Sequence, residues 1–377
     1  MEGSIQIGTV LGIPIRLHFS FLLIIPLFAW IIGIQITIIA EMLSDFSNIP
    51  IDTQPLTQGL LPYILGTIIA TGLFVGVFLH ELTHSYFALK KGIKIRSITL
   101  LLFGGVAEIE EGIPDPSDEF LIAIVGPISS GIIGAVCIGI AYLADYIIIN
   151  PTWAAVIVFI FWYLGLLNLL LFGFNLIPAF PMDGGRVLRA YLAKRMDKYK
   201  ATKIAANIGK IFAIFFGILG IVTLNFIIVI IALFIFFGAE QETTMTRYTS
   251  LLEGIQISGV MTKEVTSVSP SMPVPELINM MYMYKHLGFP VIDREELVGI
   301  VALEDINKSS EIDREAMKVK DIMTREVITL APDQPLNEVL QKMAQRNVGR
   351  IPIVSDGNVV GIVTRSDILR VIQLRES

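Results

Sequence analysis

Near residues 18–40, 60–89, 119–143 and 153–177 the sequence is apolar and almost free of charge, and a longer apolar run covers roughly 204–239. A helix of about 20 apolar residues crosses the hydrocarbon core of a bilayer. Inside lipid every backbone N–H and C=O must find its partner within the protein, so runs of this kind leave little room for anything but membrane helices. Composition agrees, with 54 % hydrophobic and 16 % charged residues, where a soluble domain carries about 25 % charged. The last run can be read as one tilted helix or as a hairpin broken around "TLN" at 223–225. The N-terminus lacks a basic stretch, a short apolar core and a small-residue cleavage site, so the first run is read as a retained span.

Basic residues orient the spans, because Lys and Arg concentrate in cytoplasmic loops. Residues 41–59 hold three acids and no base, and 144–152 hold no base, which places both outside. Lys90, Lys91, Lys94 and Arg96 place 90–118 inside, and the seven bases from Arg186 to Lys203 place 178–203 inside. The N-terminus is then cytoplasmic. The net charge of −6 comes with no basic cluster, so no nucleic-acid partner is expected. The single cysteine, Cys137, excludes a disulfide framework and a cysteine zinc finger.

The chain changes character after the last run. We expect a membrane domain over 1–245, a linker over 246–257, and two repeats over 258–312 and 320–377. "VMTKEV" at 260–265 matches "IMTREV" at 322–327, and "LVGIVALEDI" at 297–306 matches "VVGIVTRSDI" at 359–368. Each copy reads as a strand, a helix, two strands and a second helix, and one copy alone is small for an independent core. The repeat resembles the cystathionine-β-synthase (CBS) domain, whose paired form is an α+β module. By that resemblance Asp367 and Thr364 of the second copy, and Asp305 of the first, face an adenine nucleotide. The first copy has Ala302 at the Thr position, which favours one competent cleft over two. A pair that only packs, or makes a homodimer, is the other reading. Such modules in membrane proteins usually sense cytoplasmic nucleotides. A cytoplasmic tail requires an even number of spans, so the 204–239 run becomes a hairpin. The fold expected is a polytopic α-helical membrane protein of about six transmembrane helices with a C-terminal tandem CBS module.

"HELTH" at 80–84 lies inside the second apolar run. On a helix, residues four apart share a face, so His80 and His84 can bind one ion. Glu81 is placed to act on water there, the arrangement of zinc-dependent proteases. Ionisable residues within a span are costly and usually mark function. At about 1.5 Å per residue, counting back from Lys90, the site lies roughly 9–15 Å inside the cytoplasmic edge. Water must therefore reach it through a polar cleft. A catalytic zinc takes three protein ligands and leaves one position open. The better third ligand is Asp183, in "NLIPAFPMDGGR" at 175–186, where Pro178 and Pro181 break the helix and Gly184 and Gly185 permit close backbone approach. His18, at the start of the first span, is read as an interfacial side chain.

His-Glu-x-x-His in one span and Asn-x-x-Pro-x-x-Pro-x-Asp-Gly at the end of another resemble the site-2 protease family of intramembrane zinc metalloproteases, over about residues 1–240. The branch with a CBS pair after the spans includes the sporulation-factor processing protease. The resemblance implies one Zn²⁺ per chain on His80, His84 and Asp183, with Glu81 as catalytic base. Many members carry Gly-Pro-x-x-Asn between the motifs; here "GPISS" puts Ser130 at the Asn place. Ser130 or Asn175 is then the candidate to hold the oxyanion. In "SITLLLFGGVAEIEEG" at 97–112, Gly104 and Gly105 interrupt a strand-like run. A comparable strand lies beside the active site in the family, and we expect it to accept unwound substrate as an added strand; a packed hairpin at the membrane edge is the alternative.

The reading is peptide hydrolysis within or near transmembrane segments of single-span membrane proteins, regulated by nucleotide at the CBS pair, in a multi-pass protein of the cell membrane with both the N-terminus and the CBS domains cytoplasmic. A channel or transporter and a metal-binding scaffold are the rivals. The channel explains the two polar clusters less well, since both lie near one face, and the scaffold leaves Glu81 without a purpose.

Overall fold

The computed structural model describes residues 3–101, 104–109, 115–308 and 314–376. The chain divides into two units, Met1–Thr244 and Met245–Ser377.

The first unit opens with antiparallel strands β1 (Ser4–Val10) and β2 (Ile13–His18). Leu11 and Gly12 between them both have positive φ, 53° and 79°, the requirement of a two-residue hairpin turn that glycine meets without strain. The chain continues through α1 (Phe19–Ser47), the short α2 (Thr53–Leu56) and α3 (Leu61–Lys90). Strands β3 (Ile95–Leu101) and β4 (Gly104–Ile109) follow, then α4 (Pro116–Ile147), α5 (Pro151–Asn175), α6 (Asp183–Ala193), α7 (Lys198–Val222) and α8 (Phe226–Leu252). Among the described residues six helices, α1, α3, α4, α5, α7 and α8, are long and apolar enough to cross a membrane.

The 204–239 run is a hairpin. Leu224 adopts φ 52° after α7, and Asn225 Oδ1 accepts from Ile227 N at 3.1 Å to start α8. Sequence also marks the other starts: Asp115 caps α4 and Asn150 caps α5, each with proline at the first helical position, where the missing N–H is no loss. α4 and α5 touch backbone to backbone, since a Cβ on Gly134 would lie 3.0 Å from Gly165 O and one on Gly165 the same distance from Gly134 O. Small residues at such crossings let membrane helices gain close packing where lipid removes the hydrophobic drive.

The four strands form one sheet in the order β1-β2-β3-β4, with β2 and β3 parallel through Ile15–Ile98, Arg16–Thr99 and Leu17–Leu100. The sheet includes the N-terminal residues, an element beyond the sequence expectation. In it Leu100 pairs with Gly105 and Leu101 with Gly104, and among the described residues β4 lies at one edge of the sheet and β1 at the other. Parts of the expected 97–112 strand, residues 102–103 and 110–112, lie outside the described residues.

The second unit holds α9 (Val274–Tyr284), β5 (Gly288–Asp293), β6 (Glu296–Ala302) and α10 (Leu303–Asn307), then α11 (Val319–Ile322), α12 (Leu336–Arg346), β7 (Arg350–Ser355), β8 (Asn358–Thr364) and α13 (Arg365–Glu376). The two repeats exchange their opening segments. Thr262 of the first copy trades backbone hydrogen bonds with Ile362 of the second, both 3.0 Å, and Thr324 of the second with Ile300 of the first, both 2.9 Å. The cores follow the same exchange. Leu252 and Ile257 are buried with Leu336, Val339 and Ile351, and Val319 is buried with Leu277, Phe289 and Val301.

Candidate metal centre

Helix α3 carries His80 and His84 one turn apart, and α6 brings Asp183 at its first residue. α6 can start there because the preceding loop folds tightly against it. A Cβ on Gly184 would lie 2.2 Å from Ile177 O, and one on Gly185 would lie 2.5 Å from Phe180 N. Both glycines are required by packing, not by φ.

His80 Nε2 and His84 Nε2 lie 3.0 and 3.1 Å from Asp183 Oδ2, and 3.1 Å from each other. These are the side chains that, among the described residues, converge as a metal-ligand group. Behind the cluster, His84 Nδ1 contacts Ile122 O at 2.5 Å and His80 Nδ1 contacts Ser130 Oγ at 2.9 Å. A carbonyl oxygen only accepts, so His84 carries a proton on Nδ1. With the ring neutral, Nε2 presents its lone pair towards Asp183 Oδ2 at 3.1 Å, the arrangement that a cation between them satisfies. Tetrahedral zinc with bonds of about 2.0–2.1 Å sets its ligands roughly 3.3 Å apart, close to the separations observed. The donor set fits zinc, and the back-side contacts are of the kind that orient ligating histidines.

Glu81 lies beside the edge strand, so closely that a Cβ on Gly105 would fall 2.3 Å from Glu81 Cγ. The cluster opens into a cavity of about 930 Å³ whose wall includes Glu81, Gly104, Gly105, Asn175, Asp183 and Arg186. Ser130 is fully buried behind His80 and stands apart from this wall. Of the two candidates for an oxyanion donor, only Asn175, the last residue of α5, faces the cavity. The Ser130 hydroxyl is buried against His80 Nδ1, a position suited to orienting that ring. His18 is not part of the cluster: its Nδ1 accepts from Ser20 N at 3.2 Å and caps α1.

A second buried polar cluster escapes sequence reasoning. Arg189 of α6 binds Glu119 of α4 through both Nε and Nη2, and its Nη1 lies 2.5 Å from Glu242 of α8. Its guanidinium also stands over the Phe180 ring, 4.9 Å from the centroid. Charged residues at the ends of apolar runs, with Arg186 and Arg189 three apart on one helix, were the available signal.

In the tail, one oxygen of each candidate carboxylate is engaged locally. Asp367 Oδ2 accepts from Thr364 N at 2.9 Å and Oγ1 at 2.6 Å, and Asp305 Oδ2 accepts from Ala302 N at 3.0 Å. Both side chains fasten the start of the helix in whose first turn they lie. Their other oxygens lie near bases, with Lys308 Nζ 3.3 Å from Asp305 Oδ1 and Arg370 Nη1 3.8 Å from Asp367 Oδ1.

Two family models match this chain. Peptidase family M50 covers residues 68–146 and 138–216, and the CBS domain covers 257–311 and 319–374. A zinc metalloprotease of Methanocaldococcus jannaschii is 37 % identical over 376 residues, which cover 100 % of this chain and 98 % of that protein. Rip3 of Mycobacterium tuberculosis is 31 % identical over 399 residues, covering 99 % of this chain and 94 % of that one. The solved site-2 protease from Methanocaldococcus jannaschii is 40 % identical, covers 64 % of this chain and 95 % of its own, and superposes with a TM-score of 0.43. The chain belongs to peptidase family M50, the site-2 proteases, as a multi-pass membrane zinc metalloprotease carrying a CBS pair. The channel reading falls with this relationship.

Proposed function

We propose that the enzyme hydrolyses peptide bonds within or beside transmembrane segments of single-span membrane proteins. The observation that carries the reading is the convergence of three donor atoms, 3.0–3.1 Å apart, in the wall of a cavity among the apolar helices. His80, His84 and Asp183 hold one Zn²⁺ per chain. The ion supplies Lewis acidity, which makes water nucleophilic at neutral pH and polarises a carbonyl.

Glu81 is the general base. Its carboxylate takes a proton from the attacking water and gives it to the nitrogen of the leaving amine, so that one group serves both halves of the reaction. A transmembrane helix hides its amides in internal hydrogen bonds and must unwind before attack. β4, Gly104–Ile109, lies at one edge of the sheet, where an extended segment can be added as a further strand, with Gly105 against Glu81. Asn175 lies in the same wall as a donor for the carbonyl. The apolar helices and the Lys/Arg distribution support the cell membrane as location, with the N-terminus and CBS pair cytoplasmic. The CBS pair binds an adenine nucleotide beside Thr364 and Asp367, with Asp305 marking the corresponding place in the first copy, and this binding modulates cleavage.

The test is Glu81→Gln in the full-length protein, reconstituted with a tagged single-span substrate. Bound zinc should equal that of the unaltered protein while cleavage falls by about 10²–10⁴-fold; cleavage that persists would refute the assignment. Titration calorimetry of the full chain with AMP and ATP, beside an Asp367→Ala variant, tests the tail. No heat with either nucleotide would remove the regulatory part.

A further inference from the structure

Polar groups in the catalytic cavity can be accounted for one by one. His80, His84 and Asp183 are engaged with one another. Ser20 is bound to His18, with 2.8 Å between Oγ and Nδ1. Ser85 is 1 % exposed, too deep to meet a substrate, and Glu81 is an acid. Asn175 and Arg186 remain as open donors, and Arg186 is the cation among them.

Arg186 follows Asp183 by three residues on α6, so the two side chains rise on the same face of the helix. Its side chain is exposed to the cavity. No hydrogen bond or ion pair holds it among the described residues, unlike Arg189 one turn on, which carries both Glu119 and Glu242. The charges surrounding Arg186 are Glu242, Asp183, Glu119 and Glu81. A cation that lines the catalytic cavity with no direct partner is free to meet a group of the substrate.

We infer that Arg186 is a further catalytic residue, whose guanidinium donates to the scissile carbonyl oxygen as negative charge gathers there. This rests on the protease reading above. In the ground state the carbonyl is neutral and gains little from Arg186. As water adds to the carbon, the C=O π pair moves onto oxygen, and a cation donating to that oxygen then stabilises it. Asn175, which lines the same cavity, supplies a neutral donor. The guanidinium fork can reach one oxygen through two N–H groups, which lysine cannot reproduce.

The experiment compares Arg186→Gln, Arg186→Lys and the unaltered chain in proteoliposomes. It measures kcat, KM and bound zinc, together with binding of a phosphinate peptide that mimics the tetrahedral oxyanion. In Arg186→Gln we expect kcat to fall about 10²–10³-fold, with KM and zinc unchanged. Phosphinate binding should weaken by a similar factor, and lysine should recover part of both. A Gln variant with unaltered kcat and phosphinate affinity overturns the inference alone. Loss of zinc or of folded protein in both variants also overturns it, since Arg186 would then be a counter-ion to Glu242 and Glu119. Absence of zinc-dependent cleavage by the unaltered chain would sink the protease reading itself, and the inference with it.

Discussion

A Cβ on Gly126 would lie 2.1 Å from His84 Nε2 and 2.3 Å from its Cε1. Helix α4 therefore passes the metal-binding ring with room for hydrogen only, which gives the Gly of the Gly-Pro stretch a physical reason. The ring cannot swing away, because Nδ1 is held by Ile122 O at 2.5 Å. Gly126→Ala should lower zinc affinity by about 100-fold or more, the upper end of effects from altered ligand support. Competitive chelation of the purified protein measures it. A variant with unaltered affinity would show that α4 yields easily.

Gly105→Ala should leave zinc in place and damage the base. The added carbon would meet Glu81 at Cγ and Cδ, 2.3 and 3.1 Å away, so the carboxylate must move by an ångström or more. Displacement of that size costs about 10²-fold in rate. Comparing kcat with metal content separates this outcome from general misfolding.

Ser130→Ala removes the hydroxyl at His80 Nδ1 without touching the cavity. Ser130 acts on the metal through the histidine, so zinc affinity should drop roughly 10–100-fold. At saturating zinc, kcat should be nearly restored. A loss of kcat that excess zinc fails to rescue would return Ser130 to the oxyanion role.

Arg189→Met leaves Glu119 and Glu242 without their shared cation. Removing one member of a buried ion cluster costs about 3–5 kcal/mol, and unfolding in detergent should show it. Replacing Glu119, Arg189 and Glu242 together by apolar residues of similar volume should be nearly neutral. Equal destabilisation by the single and triple variants would mean that packing against Phe180, not charge, dominates.

The sequence shows some of this architecture because its signals are local. A helix brings His80 and His84 together at any i,i+4 spacing, and an acid just after Pro181 in a broken helix end is a natural third donor. The hairpin at Thr223–Asn225 was visible as a polar interruption in an apolar run. Ser130 lies 50 residues from His80, and no pattern along the chain tells which way its hydroxyl points. The N-terminal strands alternate apolar and polar residues around Leu11–Gly12, yet the adjoining apolar run hides that short period. Arg189 needed partners from α4 and α8, a meeting that only the packed helices define. For the repeats, the constant offset reveals two copies, but not which copy each opening segment packs against.

That exchange bears on how the tail is made. The first repeat leaves the ribosome before the segment around Val319–Thr324, which completes its core and its β6 edge. At about 5–20 residues per second during synthesis, it waits some seconds half-built, with apolar surface uncovered. The second repeat has no such delay, because Ile257 and Thr262 are already present when β8 emerges. A chain cut between the repeats would strand both halves, so the tail reaches its native form only once its second repeat has been made.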